Sequence, residues 1–156
     1  MKKIIIFILL VSLPIVGVAM SFFTKQVLFS EVKGVVQKQG KPLANVEVIR
    51  SYTELDNTGN ESVKTDENGH FNFPKVTKTL FFELGFFPPS KVVITQEIVI
   101  KFEEKIFDAW VFSKGDYKNG SEIGKEKINI ICDLNNEVKY TETPSGDSVY
   151  GLCTFD

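Results

Sequence analysis

From residue 30 to the end, the chain never places apolar side chains at i, i+3, i+4 and i+7 through three turns. Short runs rich in Val, Ile and Phe recur instead, separated by clusters of Gly, Asn, Asp and Pro. The fold class this implies is all-β. Alternation is clearest in Val46 and Val48 around Glu47, in Ile98, Ile100 and Phe102, and in Ile128, Ile130, Cys132 and Leu134, each set giving one apolar face. Expected strands are 31–37, 45–53, 61–65, 70–73, 79–84, 92–102, 106–112, 127–134 and one near 149–154, folded as two facing sheets. The polar stretch 113–126, containing GDYKNGSEIG, reads as an exposed loop. There is no internal repeat, low-complexity tract or second domain.

The stretch TDENGHFNFP, 65–74, gathers Asp66, Glu67, Asn68 and the only histidine, His70. A calcium loop needs further acidic ligands at alternate positions and a closing bidentate Glu, and the residues after Gly69 are His, Phe, Asn, Phe, Pro. Zinc would need a second histidine, or a cysteine ligand taken from the only pair. Asn-Gly between alternating apolar segments is a strong hairpin signal, so the expectation is a turn with no metal or cofactor.

Met1-Lys2-Lys3 precedes an apolar run with no charge before Lys25. Pro14 and the small residues Gly17 and Ala19 suit a secretory signal, residues 1–19, cleaved after Ala19. The alternative is a retained membrane anchor, 4–23, about as long as a spanning helix. Either one exports the body of the chain, to the periplasm or to an inner-membrane anchor with the domain on the periplasmic side. Residues 20–30 then read as a short linker and 31–156 as one domain. Removing Lys2 and Lys3 takes the net charge from −2 to −4, dispersed, which does not favour nucleic acid. Export also favours a bridge between the only cysteines, Cys132 and Cys153.

Three marks carry a likeness: Gly34 and Val36; Gly40, Pro42, Leu43, Val46 and Val48; and Thr65, Asp66, Gly69, Phe71 and Phe73. Over about 31–75 the chain resembles the carboxypeptidase regulatory-like domain. That resemblance implies a transthyretin-like, immunoglobulin-like β-sandwich of about seven to nine strands, a module that serves as spacer or binding platform. SFFTKQVLFSEVKG, DAWVF, INIICDL and the closing GLC extend the likeness to a family of small exported bacterial proteins, some found beside type VI secretion toxins. This second resemblance implies a periplasmic immunity protein.

No catalytic residue emerges. Any Ser-His or Cys-His arrangement must use His70, and no serine sits in G-x-S-x-G. The transthyretin-like hydrolases of the purine pathway use several histidines and a tyrosine-rich tail, which this chain lacks. Glu103 with Glu104, and Glu122 with Glu126, read as carboxylates on solvated faces. Trp110 in DAWVF reads as core. In TLFFELGFFPPSK a strand can bury only alternate rings, and Pro88 and Pro89 stiffen its far end, so Phe86, Phe87, Pro88 and Pro89 are the candidate contact surface for a protein partner. The reading is a non-catalytic exported protein-binding domain that neutralises a secreted toxin, with an accessory envelope protein lacking a toxin partner as the alternative.

Overall fold

The computed structural model describes residues 23–81 and 92–155. Thirteen strands make up the described fold: β1 (Phe23–Phe29), β2 (Glu31–Lys38), β3 (Lys41–Pro42), β4 (Glu47–Glu54), β5 (Asn57–Lys64), β6 (His70–Phe73), β7 (Val76–Phe81), β8 (Ile94–Phe102), β9 (Lys105–Lys114), β10 (Lys127–Asp133), β11 (Lys139–Glu142), β12 (Ser148–Gly151) and β13 (Thr154–Phe155). No helix among the described residues is long and apolar enough to cross a membrane. The signal or anchor expected within 1–23 falls almost wholly outside the described residues, as do Phe86, Phe87, Pro88 and Pro89.

Two larger sheets pack as in a β-sandwich. One runs β13-β10-β2-β3, with β6 also on β2, and the other runs β11-β12-β9-β8-β4-β5. In the first, β10 lies parallel to β2, residue for residue from Lys127 opposite Glu31 to Asp133 opposite Gln37. Alternation directs Val32, Val36, Phe71, Phe73, Ile128 and Ile130 inward against Val48, Ile98, Ile100, Trp110 and Phe112 of the second sheet. Trp110 is in the core as its neighbours imply, with edge contacts to Phe155 at 5.6 Å between ring centroids. A bulge opposite Ile98 and Val99 inserts Ala109, which is why Ala109 and Trp110 are buried consecutively.

Residues 23–29, expected within a linker, are instead a strand of the fold. β1 pairs with β7 in a third, two-stranded sheet, and its own bulge lets Val27, Leu28 and Phe29 all be buried. The Asn-Gly turn is not a hairpin either. β5 pairs with β4 in one sheet and β6 with β2 in the other, so residues 65–69 arch between the two sheets. Thr65 closes the arch by donating its hydroxyl to Leu43 O (2.7 Å), and Gly69 alone in the turn takes a positive φ, 75°.

Candidate functional site

The outward residues of the first sheet line a concave surface. Register places His70 beside Val35, Val35 beside Ile131, and Ile131 beside Thr154, with Asn72, Lys33 and Asn129 in the next row. At about 4.8 Å between strands, the first row spans roughly 14 Å. Gly34, one position off these rows, has no room for a side chain, since a Cβ would sit 2.2 Å from the Phe71 ring. Val63, Lys64 and Asp66 wall one side, and the groove encloses about 760 Å³. Its centre, Val35 and the half-exposed Ile131, is apolar, and its margin carries charges of both signs, Lys33, Lys64 and Asp66, with the amides of Asn72 and Asn129.

His70 and Asp66 therefore belong to the rim of this groove, a role that turn chemistry alone did not indicate. Asp66 Oδ1 accepts from the backbone N–H of His70 and of Asn68, both at 2.8 Å, and lies 3.5 Å from His70 Nδ1. The His70 N–H bond is the chief reason that the Asp66 carboxyl is held below its usual range. Among the described residues no three His, Cys, Asp or Glu side chains gather as a metal site. Glu103 and Glu104 form an exposed two-residue turn, both with positive φ (49° and 61°). Cys132 and Cys153 are joined in a disulfide, with Cα atoms 4.1 Å apart.

A second constellation lies inside, and it overturns the reading of 113–126 as wholly exposed. Lys114 and Glu122 pair at 3.0 Å with side chains only 1% and 0% exposed. Glu122 also accepts from Ser30 N (3.1 Å), Ser30 Oγ (2.7 Å) and Gln96 Nε2 (2.9 Å). Lys114 donates to Lys118 O at 2.5 Å, and Gly120 N donates to Ser30 Oγ at 2.8 Å, so the loop folds over the pair. Burial by itself would raise the Glu122 pKa; Lys114, then Gln96 and Ser30, outweigh it and the net shift is downward. For Lys114 burial prevails over Glu122, and its pKa falls. Glu126, by contrast, is exposed as expected.

Further buried charges adjoin the pair. Both Glu54 oxygens lie 2.5 Å from Lys78 Nζ, and Tyr117 donates to the same carboxylate. Burial, then Glu54, push the Tyr117 hydroxyl up to about 12. Arg50, fully buried, lies between the rings of Phe29 and Phe73 (5.1 and 4.8 Å) and donates to Glu61 and to Pro74 O. Pairing to fixed carboxylates makes this layer structural chemistry.

A family model described as a domain of unknown function, DUF6795, matches residues 32–137, from β2 to just past β10. No curated protein matches the chain. The matched span contains every strand of the groove except β13, and it contains both Lys114 and Glu122. The chain belongs to the DUF6795 family.

Proposed function

We propose that the protein is an exported, non-catalytic β-sandwich of the transthyretin-like kind that binds another protein, and that its partner is a secreted toxin it neutralises in the periplasm. The observation that carries the reading is the groove across β13, β10, β2 and β6. An apolar centre, Val35 and Ile131, framed by Lys33, His70, Asn72, Asn129 and Thr154 has the anatomy of a protein-contact surface, apolar in the middle and polar at the rim. Supporting the finer fold assignment, two marks of the resemblance meet physically: Gly34 leaves the space that the Phe71 ring fills.

The test is co-expression with whichever product of a flanking gene is toxic when expressed alone, comparing wild type with Ile131→Asp and Lys33→Glu. Both positions are on the outward face, so the variants should keep the melting temperature within a few degrees while protection from the toxin and co-purification with it are lost. Full protection by both folded variants would remove the groove from the reading. No protection by the wild type would remove the toxin.

A further inference from the structure

Among the described residues, β5 is the longest terminal strand of the two larger sheets. β13 and β3 have two residues each, and β6 and β11 have four, but β5 runs for eight residues, each paired with β4 on one side only. Among the described residues no strand or backbone hydrogen bond occupies its other side. Proline, a bulge or a covering loop commonly protects such an edge, and among the described residues β5 (NTGNESVK) shows none of these. In an antiparallel ladder every second residue turns its N–H and C=O outward. Thr65 exchanges backbone bonds with Asn45 and Val46, so odd residues face β4, and Thr58, Asn60, Ser62 and Lys64 present their backbone groups to the free edge.

We infer that β5 is a self-association edge, and that two copies of this chain pair β5 against β5 antiparallel about a two-fold axis at Asn60. An axis normal to the sheet keeps outer face with outer face, so even residues must oppose even residues. Centred on Asn60, the register sets Asn60 against its own copy and Thr58 against Ser62, and brings Lys64 level with Asp56, the turn residue just before the second copy's β5, twice over. Centring on Glu61 would set two carboxylates face to face, and centring on Gly59 or Ser62 forms neither Lys-Asp pair. Opposite charges across the ladder favour the Asn60 register over its neighbours. It also brings Leu55, 82% exposed at the β4–β5 tip with a φ of 51°, beside the end of the other copy's β5, where Val63 and the groove begin. A bulky left-handed residue exposed at a tip suits a contact position better than a free turn. This inference is independent of the toxin-binding reading.

A ladder this short, without an apolar core, belongs to the small, transient class of interfaces below about 1,200 Å², so association should depend on concentration. Sedimentation equilibrium of the purified protein from 10 to 500 µM is expected to show a monomer–dimer equilibrium. Asp56→Lys, an exposed substitution that sets Lys opposite Lys64, should weaken the dimer roughly tenfold. Adding Lys64→Asp should restore it, which a general effect on folding would not do. Asn60→Pro removes an N–H that only the second copy uses, and should leave the melting temperature little changed while abolishing the dimer. A wild type monomeric throughout, or a dimer indifferent to Asp56→Lys, would overturn the proposal. So would failure of the double swap to restore association.

Discussion

Replacing Glu122 with Gln keeps the side chain's shape and one acceptor oxygen but removes the charge opposite Lys114. The Lys114 ammonium, only 1% exposed, is then left with neutral hydrogen-bond partners, Lys118 O and the amide oxygen, and with Asp116 as a weaker charge nearby. Breaking a buried pair by neutralising one member costs about 3 to 5 kcal/mol, because the survivor stays desolvated and uncompensated. Gln retains part of the bonding to Ser30 and Gln96, which places the expectation near the lower bound, about 3 kcal/mol. For a domain of this size that corresponds to a fall in melting temperature of roughly 10 °C. The pH dependence comes from the lowered Glu122 pKa. A carboxyl depressed in the folded state contributes stability that is fully present above its unfolded value, near 4.5, and is lost as the pH falls through the folded value. Wild type and variant should therefore differ most at neutral pH and converge in acid. Urea denaturation followed by Trp110 fluorescence, at pH 7 and at steps below pH 4.5, measures both effects. A Glu122→Gln variant within about 1 kcal/mol of wild type at pH 7, or a gap that widens in acid, would show that the two side chains are not a buried, compensated couple.

Other outcomes are open to direct measurement. Closing a loop of 21 residues, the Cys132–Cys153 bridge should add roughly 3 kcal/mol, and paired alanines at both positions should lower the urea midpoint accordingly. Gly69→Val should destabilise far more than His70→Ala, since a Cβ there would lie 2.5 Å from Val36 O at a φ of 75°, whereas the His70 side chain is exposed; paired thermal melts decide. Arg50→Met should cost about 3 kcal/mol by leaving Glu61 and Pro74 O without their buried donor and two rings without their cation, read from chemical denaturation.

What the sequence revealed and what it hid divide along physical lines. Period-two runs set the inner faces of β2, β4, β8 and β10, because burial on one face leaves a direct trace in hydropathy. The turn at 65–69 was legible from Asn68-Gly69, but its destination was not: a turn motif encodes local φ, and whether the next strand joins the same sheet is decided by long-range pairing with β2. Glu103-Glu104 carries no turn signature at all, yet it adopts two positive φ values because β8 and β9 are held together along their length. The charged layer did leave a signal. Arg50 and Glu54 on β4, Gln96 on β8 and Lys114 on β9 occupy inward positions of neighbouring strands, interrupting otherwise apolar faces. Several polar breaks in adjacent strands imply a shared polar interior, and Glu122, from a loop that looks merely soluble, completes it. The groove was hidden because it depends on which strands lie side by side, and above all on β10 lying parallel to β2.

The domain boundary tests how these parts depend on one another. The first strong alternation suggests a boundary at Glu31, but the strand before it holds the polar interior shut. Leu28 O accepts from Gln96 Nε2 at 2.8 Å, and Ser30 gives Glu122 two hydrogen bonds and receives one from Gly120. Without residues 23–30, Glu122 would lose both Ser30 donors, and Gln96 would lose one of its acceptors. Burial of Val27, Leu28 and Phe29 would vanish too, at about 1.5 to 3 kcal/mol for each side chain. The three together amount to roughly 5 to 9 kcal/mol, comparable with the whole stability of a typical domain, about 5 to 15 kcal/mol. A chain beginning at Glu31 is therefore expected to be unfolded or molten, while one beginning at Phe23 gives a cooperative melt. Near-ultraviolet circular dichroism of the two, compared at 20 °C, distinguishes them. A cooperative transition in the shorter chain within a few degrees of the longer would mean that β1 is dispensable and that the charged layer is closed from another side.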